Sequence, residues 1–368
     1  MKKNIALLLT AAIVASLTAC GGSGSSGNDT NTAAAETKAA ETKGTDSSAG
    51  GLAVDDAFGN ADTAEYKWKI AIDNNVGTNQ YDAAVKFAEK LAELSDGNVY
   101  SEIYAGQQLG AGTEVLEGLG MGMQQVCIQS VGTLAPFCDY ANIDALPFIF
   151  TDYDHFINVW SGDLGQEMKD YIGEQANFEI LGYMYRGARI TTATKKMEKL
   201  ADFKGFKLRA PNIEVYLKTW ERIGAIPTPL SISETFTAIQ QGTVEGQENP
   251  ITECVSNGFY DVCPYFIKTN HVYSLDTFVM DRTYFQSLPE DIQAMVVEAA
   301  NYASDWKNGV MAEDEAALEE DCKAKGVEFI EFDDATRDEF MQAFDGFVDE
   351  VFPYLTEWVD KIKAADVQ

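Results

Sequence analysis

Between Pro289 and Pro353 the chain has no proline, and a helical pattern runs on to about residue 325. A helix of some 35 residues is ~50 Å long at 1.5 Å per residue, more than one ordinary domain is wide. The simplest use for so long a helix is to brace two domains. The chain length of 368 residues fits two domains. Hydrophobic residues make up 46% and charged residues 23%, ordinary globular proportions that exclude a disordered chain, a collagen and a disulfide-dense miniprotein. No internal repeat is present.

The N-terminus reads as a leader. Lys2 and Lys3 form a basic start, residues 5–17 an apolar stretch, and small residues follow. The stretch is too short for a comfortable membrane span and has the layout of a secretory signal. Leu17-Thr18-Ala19-Cys20 resembles the lipobox of bacterial lipoproteins. That resemblance implies a signal peptide over 1–19, cleavage before Cys20 and a lipid anchor on its sulfur. Residues 20–64 are Gly, Ser, Thr, Ala, Asn and small charges, with Phe58 the one aromatic. They read as a flexible tether with a typical reach of roughly 35 Å. Such a tether suits a domain held on the outer face of a wall-facing membrane, which favours a Gram-positive envelope.

Charge narrows the function. Lys and Arg total 27 against 58 Asp and Glu, a formal charge of −31. Losing Lys2 and Lys3 with the leader leaves 25 against 58, or −33. Such a surface repels nucleic acid and anionic lipid.

From residue 66 the pattern is α/β. Trp68, Ile70 and Ile72 alternate with polar residues as in a strand. Ala84, Phe87, Ala88, Leu91 and Leu94 share one helical face, and residues 99–104 read as a second strand. This β-α-β order implies a parallel sheet covered by helices. Further along, residues 152–172 read as one helix, and 189–192 as a continuation of the strand at 178–185. Two capping boxes, Ser231 with Glu234 and Ser287 with Glu290, mark helix starts.

Several chemistries lack their residues. There are two histidines, His155 and His271, so a His-rich metal site is excluded. His155, beside Asp152 and Asp154, reads as a surface residue. No P-loop and no nucleophile elbow occur. No Cys-x-x-Cys occurs; Cys127, Cys138, Cys254, Cys263 and Cys322 read as small buried hydrophobes, with a Cys254–Cys263 disulfide as the alternative.

What stands out is arginine. The six are Arg186, Arg189, Arg209, Arg222, Arg282 and Arg337, and Arg189 and Arg209 sit in apolar strand contexts. A guanidinium beside a core must be paired internally or aimed at an anion, and its planar fork matches a carboxylate. Both readings are open from the residues alone.

Arg209 belongs to the first of four motifs that follow one another. They are Gly205/Lys207/Arg209/Pro211, then Gly224 to Pro229, then Ser233 to Gln240, then Gly246-Gln247-Glu248-Asn249-Pro250. In that order they closely resemble the central signature of the DctP-type solute-binding proteins of TRAP transporters. The likeness extends to Leu146-Pro147-Phe148 and Thr269-Asn270-His271. It implies a two-lobed, periplasmic-binding-protein-like α/β fold with a ligand cleft and a long bridging helix. Lobe I would comprise 66–186 plus 275–314, and lobe II 187–274 plus 315–368.

The resemblance also implies site residues. The carboxylate-clamping arginine falls on Arg209, a second cleft arginine on Arg189 and the signature asparagine on Asn249. Asn212 and Asn75 are further ligand contacts. Ile232 stands where several relatives carry an aromatic. Gln129 and Ser130 lie where sialic-acid binders place charged residues, which argues against sialic acid. The implied function is an extracytoplasmic, lipid-anchored receptor. It would capture a C4-dicarboxylate, sugar acid or hydroxy or keto acid and hand it to membrane permease subunits. It would do so as a monomer, with no cofactor, no metal and no bond made or broken. A sensor subunit with the same clamp and a secreted carboxylate-dependent hydrolase are the alternatives.

Overall fold

The computed structural model describes residues 54–365. The leader, Cys20 and the tether up to residue 53 lie outside the described residues. In chain order the elements are β1 (Asp56–Phe58), β2 (Tyr66–Ile72), α1 (Asn79–Leu94), β3 (Val99–Tyr104), α2 (Thr113–Gly120) and β4 (Val126–Ser130). Next come α3 (Tyr153–Ser161), α4 (Asp163–Ala176), β5 (Phe178–Ala188), β6 (Ile190–Ala193), β7 (Lys207–Ala210), α5 (Glu214–Arg222) and β8 (Ile226–Pro229). Then follow α6 (Ile232–Gln240), β9 (Gly246–Asn249), α7 (Ile251–Ser256), β10 (Tyr265–Ile267), β11 (Tyr273–Asp281) and α8 (Arg282–Ser287). The last are α9 (Glu290–Ala324), β12 (Glu328–Ile330), α10 (Asp334–Gln342), α11 (Phe347–Val351) and α12 (Thr356–Ala364).

Two six-stranded sheets result, in the orders β1-β3-β2-β4-β11-β5 and β12-β10-β6-β9-β7-β8. The β2-α1-β3 unit is parallel, as its pattern predicts. Thr78 caps α1 by accepting from the Tyr81 amide, and Ala84, Phe87, Ala88 and Leu91 bury its inner face. The chain passes between the sheets at β5→β6 and returns at β10→β11. Residues 189–192 therefore do not prolong β5. They open the second sheet, because Gly187 takes φ +114° and turns the backbone out of the first.

Helix α9 has the predicted length, 35 residues. Ile292, Val296, Ala299, Ala300 and Ala303 pack into the core of the first sheet, whereas Cys322 joins the core of the second. One helix thus touches both lobes. The capping box expected at Ser287 does not form. Ser287 is the last residue of α8, and its hydroxyl donates back to the Tyr284 carbonyl at 2.6 Å.

Other expectations need correction. Residues 56–58 are not tether but an edge strand, antiparallel to β3. Tyr81 Oη donates to Asp56 Oδ2 at 2.7 Å, and the Ala105 amide to Asp55 Oδ2 at 2.8 Å. Backbone and polar bonds hold this strand, with Phe58 its one side chain packed on the core of the first sheet, so its composition carries little hydrophobic signal. The helix read over 152–172 is two, broken at Gly162. His155 is buried; its Nε2 lies 2.8 Å from the Ile362 carbonyl of α12. Trp358 and Lys361 of α12 both donate to Glu167 on α4. The C-terminal helix α12 thus packs on α3 and α4. All five cysteines of the described residues are free and buried, so Cys254 and Cys263 form no disulfide.

Candidate functional site: the interlobe cleft

A cavity of about 1160 Å³ is lined from both sheets. The first sheet contributes the C-terminal ends of β2 and β4, the second those of β7 and β9. Strand ends are where open α/β sheets expose polar groups that no helix covers. Asn75 comes from the loop after β2, and Gln129 and Ser130 end β4. Arg189 sits at the crossing, Arg209 near the end of β7, Asn212 just past Pro211, Ile232 at the start of α6 and Asn249 at the end of β9. All eight line this one cavity.

The two arginines singled out by sequence differ sharply. Arg189 is 1% exposed, and Glu248 is wholly buried beside it. Arg189 Nε lies 2.5 Å from Glu248 Oε2 and Nη2 lies 2.7 Å from Oε1, a two-pronged pair. Nη2 also donates to the Glu248 carbonyl and to Asn249 Oδ1. The guanidinium is 4.6 Å from the Tyr216 ring centre. Burial acts most strongly on Arg189 and would depress its pKa, but Glu248, Tyr216 and Glu253 together outweigh burial and raise it. Burial would likewise raise Glu248, yet Arg189 holds it down at about 2. For Arg189 the internal-pair reading therefore holds in this structure. Asn249 is committed too: its Nδ2 donates to Gln247 Oε1 at 2.7 Å.

Arg209 is equally buried but makes no ion pair among the described residues. Its one hydrogen bond runs from Nε to the Leu230 carbonyl at 2.9 Å. The two terminal nitrogens, the pair that fits a carboxylate, bond no group among the described residues. Burial pulls its pKa down to about 10, and the neighbouring Arg189 and Arg186 add to the fall against Glu248. A buried cation without a counter-charge is costly, and an incoming anion relieves that cost.

Sequence reasoning missed other cavity residues. Arg186 Nε lies 3.0 Å from Glu253 Oε1 and 3.4 Å from Asp276 Oδ1. Asp276 Oδ2 accepts from Lys307 of α9 at 2.8 Å and from Gln80 at 2.9 Å. Asn74 Nδ2 reaches Glu253 Oε1 at 3.4 Å, a contact between the lobes. Two of these had a signal: Asp276 is an acid inside the apolar run of β11, and Lys307 a lysine on the buried face of α9. Asp144, buried behind this region, accepts from the Leu275 and Gly132 amides, and burial raises it to about 7. Among the described residues no His/Cys/Asp/Glu group is arranged to hold a metal, and no helix is long and apolar enough to cross a membrane.

The family model DctP, described as bacterial extracellular solute-binding protein, family 7, matches residues 70–353. The chain belongs to this family. A solute-binding protein of Roseobacter denitrificans is 33% identical over 255 residues, covering 69% of this chain and 78% of that one. Its crystal structure, with bound L-galactonate, superposes with a TM-score of 0.76 at 30% identity over 82% of this chain and 99% of that one. A TRAP periplasmic solute-binding protein from Pseudomonas putida F1, with bound D-glucuronate, gives 0.78 at 27% identity, covering 81% and 97%. The sialic acid-binding periplasmic protein SiaP of Vibrio cholerae is 29% identical over 259 residues, 70% of this chain and 81% of that one. This DctP-type protein is thus a TRAP solute-binding protein with the two-lobed fold of its class. Its family is one of transport proteins.

Proposed function

We propose that this protein is the extracytoplasmic receptor of a TRAP transporter and captures a carboxylate-bearing small molecule in the interlobe cleft. The observation that carries the reading is Arg209: a buried guanidinium that lines the cavity and whose two terminal nitrogens bond no group among the described residues. A carboxylate would occupy them with two parallel hydrogen bonds. Arg189, locked to Glu248, and Asn249, locked to Arg189 and Gln247, would form the rigid wall behind that carboxylate. Asn212, Asn75, Ile232, Gln129 and Ser130 would shape the rest of the cleft. Closure of the lobes about the β5→β6 and β10→β11 crossings would exclude water and strengthen the charge pairing.

The wider setting follows the sequence. The signal peptide over 1–19 would be removed and Cys20 lipidated, leaving a monomer tethered to the outer face of a cell membrane of the Gram-positive type. The loaded receptor would dock on the permease subunits and needs no cofactor. Fractionation of cells carrying Cys20→Ser tests the anchor: the protein should leave the membrane fraction. The ligand reading is tested by thermal shift against a panel of organic acids. A ligand at 100 times its Kd adds about 2.7 kcal/mol of stability. A stabilising acid whose effect vanishes in Arg209→Ala supports the clamp; an effect that survives the substitution removes Arg209 from it.

A further inference from the structure

One acid reaches across the cleft. Glu253 lies on α7, which follows β9 of the second sheet, yet its side-chain partners belong to the first. Arg186 Nε, on β5, donates to Glu253 Oε1 at 3.0 Å. Asn74 Nδ2, from the loop after β2, donates to the same oxygen at 3.4 Å. All three residues line the interlobe cavity, and Glu253 and Asn74 are buried. Glu253 Oε2 has no hydrogen-bond partner among the described residues, so the two bonds to Oε1 hold this carboxylate in place.

The contact can be made and broken. Arg186 stands next to Gly187, where the chain leaves the first sheet, whereas Asn74 is far along the chain from both crossings. At 3.4 Å the Asn74 bond is near the limit for a hydrogen bond, and a small parting of the lobes breaks it. Parting strands no charge. Arg186 also lies 3.4 Å from Asp276 Oδ1, on the neighbouring strand β11 of its own sheet. Lys307 and Gln80 hold Asp276 from its other oxygen at 2.8 and 2.9 Å. When Glu253 withdraws, Arg186 keeps an acid beside it and Glu253 meets the water that enters the cavity. With the lobes together, burial acts most strongly on Arg186, but Glu253, Asp276 and Tyr216 outweigh it and raise its pKa.

We infer that Glu253 is a latch that draws the lobes together by docking on Asn74 and Arg186, so that the protein itself supplies part of the drive for closure before any ligand arrives. Glu253 is in this sense a positioning residue. It acts on the equilibrium between open and closed forms, and a ligand that binds the closed form is favoured by the same factor whatever its chemistry. The inference rests on the reading of the cavity as a cleft that closes on its ligand. It depends neither on Arg209 nor on the identity of the ligand.

Single-molecule fluorescence energy transfer on the ligand-free protein tests it. Met121, at the end of α2 beside the first sheet, and Ile226, at the start of edge strand β8 of the second, are both exposed. The five cysteines of the described residues are buried, so dyes attached through Met121→Cys and Ile226→Cys in a Cys20→Ser chain report the distance between the lobes. A closed and an open population are expected. Glu253→Ala should lower the ratio of closed to open molecules by about tenfold, the loss of one hydrogen-bonded charge contact. Asn74→Ala, which removes only the bond farthest from the crossings and leaves the ion pair, should shift the ratio the same way. It decides the matter alone if Glu253→Ala does not fold. An unchanged ratio in the folded variants would overturn the inference, even where the urea midpoint falls, because Glu253 would then serve stability and not closure. A wild type found wholly open would overturn it as well. No ligand enters this experiment. The carboxylate reading, tested by the thermal shifts of Arg209→Ala, can therefore fail while the latch stands, and the latch can fail while that reading stands.

Discussion

Arg189 and Glu248, 59 residues apart in sequence, form a two-pronged ion pair with both side chains out of water. Removing one member leaves the other charged, buried and poorly matched, at a cost of about 3–5 kcal/mol. Arg189→Met and Glu248→Gln should each lower the urea midpoint of the ligand-free protein sharply. The pair also sets an acid limit. Glu248 titrates at about 2 when folded against an ordinary 4.5. Its contribution is therefore complete above 4.5 and is lost as pH falls from there toward 2. Equilibrium unfolding across that range should show a steeper loss in the wild type than in Glu248→Gln, the remainder coming from Asp276 and other carboxylates held low.

Arg209 predicts the opposite pattern. It has no counter-charge to strand, and its burial already costs energy. Arg209→Met should leave the ligand-free midpoint unchanged or higher, while carboxylate affinity falls at least about 100-fold, within the usual cost of losing one half of a buried charge pair. Parallel melting and titration of Arg189→Met and Arg209→Met separate the two roles. A fall in ligand-free stability for Arg209→Met as large as for Arg189→Met would contradict the assignment.

Gly187 turns the chain from one sheet to the other at φ +114°, a conformation that residues with a Cβ rarely adopt. A Cβ there would lie 2.8 Å from Glu315 Oε1 and 2.9 Å from Pro250 Cβ. Gly187→Ala should destabilise the protein by about 1–3 kcal/mol through backbone strain alone. It should also slow ligand-induced closure, read as the relaxation rate of tryptophan fluorescence after rapid mixing with a stabilising acid.

Glu315 of α9 lies against that same glycine. Burial, with repulsion from Glu253, raises it to about 7 from an ordinary 4.5. The folded state therefore holds a proton that the unfolded state has released between these values. Stability falls as pH rises through that window, by up to about 1.4 kcal/mol per pH unit for one proton, and the full penalty is present above 7. Glu315→Gln should lessen the dependence between pH 5 and 7, leaving the part that Asp144 contributes in the same sense, and raise the melting temperature at pH 8. An identical pH profile in the variant would show that the carboxyl titrates normally. His271, whose pKa burial depresses, works in the other sense below 6.5 but is common to both proteins.

Much of the fold was legible because its signals are local. The alternation of Trp68, Ile70 and Ile72, the apolar face of α1 and the unbroken pattern of α9 each reflect contacts between residues a few positions apart. The Ser231–Glu234 capping box forms as read, with the Ser231 amide donating to Glu234 Oε2. The β1 strand escaped notice because an edge strand of three residues is held by backbone bonds. His155 read as exposed because the helix that covers it arrives about 200 residues later.

The site divides in the same way. Residue types and motif order alone point to buried arginines, signature asparagines and a cleft between lobes, since those depend on short stretches of chain. They do not say which arginine is free. That choice depends on where distant acids come to rest. Glu248 arrives beside Arg189 through the antiparallel pairing of β6 with β9, and Glu253 and Asp276 arrive beside Arg186. Among the described residues no acid reaches the terminal nitrogens of Arg209. Ion pairing is a tertiary property because a charge neutralises whatever lies within a few ångströms of it, however remote in sequence. The chemistry available was written locally; the division into a structural arginine and an open arginine was made only when the two sheets packed.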